Sequence, residues 1–288
     1  MAKTASAGFT QFLNWLTPSD AERTKASLHR ASIDAKLEQK FGLYKMFESG
    51  SFKHGTGVSG KSDVDLFASL ESARPTLSTS TLTAVKLTLQ ERFPSTYIHV
   101  SRPAVVLEFG GGYERVEVIP SYAAENHDVG MRYKIPGVTS EWMDSTPKAH
   151  LDYVNASNKA PVQGGAKGLA RLLKAWKYYR NVPISSFYLE MRAAEYMRGQ
   201  SSLYYYMDLY YVLNSLKSHN LAAMNDPTGK TGRIYACSSD ANFSDARSKL
   251  VTAVNRAKRG MDSTQNDELK DAFEAWDLLF AGEFPAYY

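Results

Sequence analysis

The chain has 288 residues, 43% of them apolar and 22% charged, with a net charge of +4. That is ordinary globular usage, enough for a sizeable core in one or two domains, and the mild positive excess suits polyanionic nucleotides better than long nucleic acid. The lone cysteine, Cys237, excludes an intrachain disulfide and a thiolate zinc site, and it fits a reducing, cytoplasmic setting.

The N-terminal segment is broken by Thr10, Gln11 and Asn14, so it does not read as a signal peptide, and no stretch approaches the roughly 20 apolar residues of a membrane span. A short helix is predicted over residues 6–17. Pro18 interrupts it, and Ser19 with Glu22 then forms a capping box that opens a helix to Phe41. Ala21, Leu28, Ile33, Leu37 and Phe41 form its expected apolar stripe. A strand follows at Leu43–Phe47, then a Gly/Ser-rich loop over 49–62, then a strand at Asp63–Leu70 with Val64, Leu66 and Ala68 on one face and Asp63, Asp65 and Phe67 on the other. A helix is expected at 81–93 and strands at 97–100 and 104–109. The triple glycine 110–112 turns the chain into a strand at 113–119, making a hairpin that Pro120 ends. Beyond residue 147 the pattern is helical, with segments at 147–158, 166–180, 185–198, 203–218, 244–260 and 265–281, and a polar loop at 225–242. Gly164-Gly165 reads as a hinge. The expected division is therefore a lobe of residues 1–163 and a helical lobe of residues 164–288, with the long helix near the N-terminus bridging them.

Chemistry concentrates between residues 50 and 117. Asp63 and Asp65 are two apart on a strand, so both carboxylates share a face and repel each other unless a cation lies between them. Mg²⁺ takes oxygen ligands and keeps water or phosphate oxygens in the rest of its shell, so this strand is a platform for metal and triphosphate. Gly50 lets backbone N–H groups approach phosphate, Ser51 adds a hydroxyl, and eleven residues separate Ser51 from Asp63. Thr56 lies in the same loop beside Lys53 and His54. A third carboxylate is needed for the metal that faces the attacking hydroxyl. Glu117 supplies it, set between Val116 and Val118. Arg115 shares its face, and a plain Arg115–Glu117 pair is the competing reading. The Asp-Val-Asp strand alone points only to a solvated face; its combination with Gly50-Ser51, the gap and Glu117 points to phosphoryl transfer.

These segments, GSFKHGTGVSGKSDVDLF at 50–67 and RVEVIPSY at 115–122, resemble the signature of the DNA polymerase β-like nucleotidyltransferases. Within that superfamily the chain is most similar to the bacterial cGAS/DncV-like nucleotidyltransferases. The helical segment LARLLKAWKYYRNVPISSFYLEM at 169–191 is similar to that family's second lobe. The resemblance implies an α+β fold: a polymerase β-like lobe with a mixed or antiparallel sheet, and a C-terminal helical lobe. It implies Mg²⁺, with Mn²⁺ as a substitute, held by Asp63, Asp65 and Glu117. It places Lys174 and Ser186 on donor phosphates and Phe187, or its neighbour Tyr188, against a base. Asn158 falls near where relatives read base edges, although helix ends also favour asparagine. Relatives commonly carry Asp where Glu117 stands, one methylene shorter. The implied reaction joins nucleoside triphosphates into a cyclic di- or trinucleotide messenger in antiphage defence, acting on a downstream effector. No membrane and no obligatory nucleic acid activator are expected. The rivals are transfer to RNA ends, a protein or a small molecule, and an inactive nucleotide- or RNA-binding regulator.

Overall fold

The computed structural model describes residues 2–127, 130–138, 140–159 and 161–288. It divides into two compact units: a helical unit of residues 1–17, 153–227 and 232–288, and a sheet unit of residues 18–152 with 228–231. The chain therefore crosses at Thr17/Pro18 and at Asp152/Tyr153, and returns briefly to the sheet unit over residues 228–231, where the sequence alone suggests a single change at Gly164-Gly165. Among the described residues no helix is long and apolar enough to cross a membrane.

In the sheet unit the helix α2 (Asp20–Phe41) starts at the predicted capping box, with both reciprocal bonds formed. Its buried residues are Ala26, Ile33 and Leu37, whereas Leu28 is 66% exposed. The predicted stripe fails at Leu28 and at Ala21, both exposed, because the packed face also carries polar residues. His29 stacks on Phe109 and reaches Glu114 at 2.7 Å, and Arg30 donates to the Met46 carbonyl at 2.8 Å.

The sheet follows from the strands β1 (Leu43–Ser49), β2 (Val64–Leu70), β3 (Tyr97–Ser101), β4 (Ala104–Phe109), β5 (Glu114–His127), β6 (Gly130–Pro136) and β7 (Trp142–Ser145). Their order is β1-β2-β5-β4-β3, and β6 and β7 continue from the far half of β5. The β2–β5 pair is parallel and the others antiparallel, so the sheet is mixed, as expected. The β4–β5 hairpin forms around the triple glycine.

Alternation works as read from the sequence. Val64, Leu66 and Ala68 join Val116, Val118, Val105 and Leu107 in the core beneath α2 and the helix α4 (Ser78–Arg92). On the opposite face Phe67, Ile119, Ala104, Tyr133 and Ile135 form a second cluster, with Phe47 packed against it. Each fully buried Leu, Ile or Val contributes about 1.5–3 kcal/mol.

Pro120 does not end its strand. Pairing of β5 with β4 stops at Val118 and pairing with β6 begins at Tyr122, so the proline sits in the gap where its missing N–H is not needed on that side.

Glu22 does more than cap α2. Its carboxylate accepts from Ser19 N at 2.7 Å, from Ser59 Oγ at 2.9 Å and from Gly60 N at 2.8 Å, clasping the segment before β2 to the start of the helix. Burial alone raises its pKa, but the bonds from Ser19, Gly60 and Ser59 outweigh burial and hold it below the usual carboxylate range. The folded pKa is the lower one. Its stabilisation is thus complete above the unfolded value of about 4.3 and is lost as pH falls through the folded value. Thermal melts from pH 7 to 3 should show Glu22→Gln with a shallower acid limb than the parent chain; parallel limbs would contradict the clasp.

The helical unit begins with α1 (Ala5–Leu16), whose Phe9 and Phe12 enter an aromatic core with Trp276, Phe280 and Phe284. After α5 (Pro147–Lys159) come α6 (Gly165–Tyr179), α7 (Ser186–Arg198), α8 (Tyr205–Ser218), α9 (Asp240–Gln265) and α10 (Leu269–Leu279). A two-stranded ribbon, β8 (Met224–Asn225) with β9 (Arg233–Ile234), lies in the segment predicted as loop.

Candidate active site

The predicted loop after β1 starts as a five-residue helix, α3 (Gly50–His54), so Gly50 and Ser51 form a first helical turn. Gly50 has φ of +56°, which favours glycine, and a Cβ there would stand 1.9 Å from Asp65 Oδ2. The backbone at Gly50 thus lies directly against the Asp65 carboxylate. The Thr56 N–H donates to the Ser51 carbonyl at 3.0 Å and closes the turn. Thr56 and His54 are buried, Thr56 completely, so the Thr56 side chain sits inside the unit.

Asp63 immediately precedes β2 and Asp65 lies within it. Asp65 is the register partner of Glu117 across the parallel β2–β5 pair. Paired strands lie about 4.8 Å apart, so the two carboxylates leave neighbouring strands side by side. Phe67 and Ile119, two residues on in each strand, are packed in the second core cluster and fix both strands under the site.

Arg115 enters this group. Its guanidinium donates to Glu117 Oε1 at 2.7 Å, and its Nε lies 3.5 Å from Asp63 Oδ2. The Asp63 contact is ionic: Nε is buried and makes no hydrogen bond among the described residues. Burial disfavours the charge of Arg115, but Asp63, Glu117 and Glu108 outweigh it and raise the guanidinium pKa. The Arg115–Glu117 pair that the sequence offered as a competing reading is therefore present. In this arrangement no three His, Cys, Asp or Glu side chains among the described residues converge tightly enough to hold an ion. The donor set nevertheless suits a hard divalent cation. All three groups are carboxylates, and the cluster already draws a cation between two of them. Register has already brought Asp65 and Glu117 onto neighbouring strands.

In the helical unit Lys174 is 1% exposed and Glu190 3%, and Nζ stands 2.9 Å from Glu190 Oε2. Lys174 is thus spent on tying α6 to α7. Lys177, one turn further on, carries its ammonium 2.5 Å from Ser186 Oγ, with Tyr178 Oη 3.4 Å from the same hydroxyl. The sequence reading passed over Lys177. Its signal was the spacing: residues 174 and 177 both lie on the α7 side of α6, and only the outer one keeps its charge near the Ser186 hydroxyl. Phe187 is 37% exposed, whereas Tyr188 is 1% exposed and donates its hydroxyl to the Ala222 carbonyl. Asn158 joins helix ends: its Oδ1 accepts from Lys167 N at 3.0 Å and its carbonyl from Gly164 N at 2.8 Å.

The sheet with its paired carboxylates and the helical unit together define the polymerase β-like nucleotidyltransferase fold. Residues 3–158 match the family model described as the Second Messenger Oligonucleotide or Dinucleotide Synthetase domain, and the chain belongs to that family. It is 23% identical over 208 residues to a protein of Bacillus cereus (strain VD146) named as a probable cyclic nucleotide synthase; the match takes in 70% of this chain but 61% of that one, less than two thirds of its length. The fold is similar to that of CdnC from E. coli MS115-1, solved with ATP, at a TM-score of 0.75, 17% identity and coverage of 98% and 99% of the two chains. CdnG of Bradyrhizobium diazoefficiens, a CD-NTase solved with GTP, gives 0.73 and 12%, with 96% of each chain covered.

Proposed function

We propose that this protein is a divalent-metal-dependent nucleotidyltransferase that joins nucleoside triphosphates into a cyclic di- or trinucleotide. The observation that carries this reading is the register pairing of Asp65 with Glu117, with Asp63 beside them and the Gly50 backbone against Asp65. Family membership and the likeness to a probable cyclic nucleotide synthase support it.

Asp63, Asp65 and Glu117 would hold Mg²⁺ or Mn²⁺. When bound, the metal neutralises charge on the triphosphate and lowers the pKa of the attacking hydroxyl. The chain's own part is placement. A ribose hydroxyl oxygen of one nucleotide attacks the α-phosphorus of another. The new P–O bond forms as the bond to pyrophosphate breaks, and the hydroxyl proton passes to solvent. Gly50 and Ser51 line the phosphate path, with Thr56 supporting their turn from inside. Within the helical unit the role first given to Lys174 passes to Lys177: its ammonium and the Ser186 hydroxyl offer phosphate a cation and a donor, and Phe187 offers a base an exposed ring. Asn158 keeps its helix-joining role. A second transfer closes the ring, and the product acts as a diffusible messenger on a downstream effector in antiphage defence.

Incubation with each of the four α-labelled nucleoside triphosphates, alone and in pairs, tests the reading. The expected label is in a small product that resists phosphatase, with pyrophosphate released. Label in a phosphatase-sensitive chain, on RNA or on protein would assign a different transferase, and nucleotide binding without turnover would assign a regulator.

A further inference from the structure

We propose that Arg115 is an internal stand-in for the metal: it fills the space between Asp63 and Glu117 when no ion is bound and turns away when one binds, so it sets the metal affinity of the site. The inference rests on the carboxylate set being a metal site, as proposed above.

Three observations carry it. The guanidinium bridges Asp63 and Glu117, at 3.5 Å and 2.7 Å, and those are two of the groups the ion needs. The carboxylates do not converge on an ion in this arrangement among the described residues, and the bridge supplies the positive charge without which clustered carboxylates repel. Nε has a carboxylate beside it but no hydrogen bond, so the bridge is incomplete on the Asp63 side. An arginine built only to brace two carboxylates would satisfy its fork.

A destination for the displaced side chain is also present. Glu108 is the register partner of Arg115 across β4–β5, and its carboxylate already acts on the guanidinium. It stands 4.0 Å from His99, whose Nδ1 makes no hydrogen bond among the described residues. Arg115 can therefore exchange Glu117 for Glu108 by rotating its side chain while β5 stays in register. The backbone is well anchored for this: Glu114, next in the chain, is gripped by Lys25 and His29, each at 2.7 Å.

The stand-in role and a bracing role predict opposite signs. If Arg115 braces the carboxylates, removing it loosens the site and weakens metal binding. If it competes with the ion, removing it strengthens binding. The experiment is Mn²⁺ titration of the whole chain, with free Mn²⁺ read by electron paramagnetic resonance, for the parent, Arg115→Met and Asp63→Asn/Asp65→Asn. Thermal midpoints are taken with and without Mn²⁺. Arg115→Met is expected to bind Mn²⁺ about tenfold more tightly, as befits loss of one charge-assisted bond that the ion had to break. Its midpoint without metal should fall below that of the parent, and Mn²⁺ should restore more of it. Equal or weaker binding by Arg115→Met, with binding abolished in the double Asn variant, overturns the inference and leaves the metal site standing. Absence of any Mn²⁺ binding that depends on Asp63 and Asp65 overturns the metal reading and this inference with it. Should Arg115→Met not fold, Arg115→Lys serves in its place, because lysine keeps the charge but lacks the planar fork that spans two carboxylates. Severalfold tighter binding is then expected, and unchanged or weaker binding overturns the proposal.

Discussion

A chain carrying Asp63→Ala and Asp65→Ala is expected to release pyrophosphate from nucleoside triphosphates at least about a thousandfold more slowly than the parent while keeping its fold, since metal stabilisation of transition-state charge is worth several kcal/mol. The fold should survive because the core anchors of β2 are untouched. Asp63 lies outside β2 with its side chain 35% exposed, and the anchoring residues on that strand are Val64, Leu66 and Phe67. Circular dichroism melts should agree with the parent within a few degrees, while a coupled pyrophosphate assay falls to background. Retained turnover in a folded double variant would move the chemistry elsewhere in the molecule.

Lys174→Met is expected to destabilise the helical unit by about 3–5 kcal/mol, because it breaks a buried ion pair with the Glu190 carboxylate, itself 3% exposed. Lys174→Met combined with Glu190→Leu should recover most of that loss, since an apolar pair of similar volume avoids the desolvation of both charges. Urea unfolding followed by tryptophan fluorescence reads this unit well, as Trp176 and Trp276 are buried there. Equal losses in the single and double variants would mean that α6 and α7 depend on the pair itself. The same series separates the two lysines. Lys177→Met, which removes the half-buried bond to the Ser186 hydroxyl, should cost about 0.5–1.5 kcal/mol and raise the KM for nucleotide.

Much of this architecture was legible in the sequence for identifiable reasons. Ser19 and Glu22 announced α2 by a reciprocal bond pattern that depends only on neighbours. Strict alternation around Leu66 and Val118 announced β2 and the first half of β5, because one face of each is entirely apolar. The strands β6 and β7 were missed for the opposite reason. Lys134 and Arg132 pair with Asp144, and Arg132 also with Glu125, so their strand character is carried by cross-strand charges that read as polar loop in a linear sequence. The helicity of Gly50–His54 was hidden by two residue types that favour loops; the close approach of Gly50 to Asp65 requires that turn.

The candidate site divides in the same way. Spacing along one strand is fixed by the period of two, so Asp63 and Asp65 were legible as a pair, whereas Glu117 becomes their neighbour through the parallel pairing of β2 with β5. What spacing does not carry is partner choice. Lys174 and Lys177 look alike on a helical wheel, and only packing against α7 decides which ammonium meets Glu190 and which meets Ser186. Phe187 and Tyr188 are adjacent aromatics, and burial alone distinguishes them.

The central claim, metal-dependent closure of a nucleotide ring, is tested most directly by the mass of the product. The parent chain is incubated with all four nucleoside triphosphates and Mg²⁺, beside the Asp63→Ala/Asp65→Ala chain and a sample held in excess chelator. The account predicts a species whose mass is the sum of its nucleoside monophosphates less one water for each, formed only by the parent chain with metal present. Products retaining a terminal triphosphate as the end point, or the same ring formed by the double variant, would contradict it.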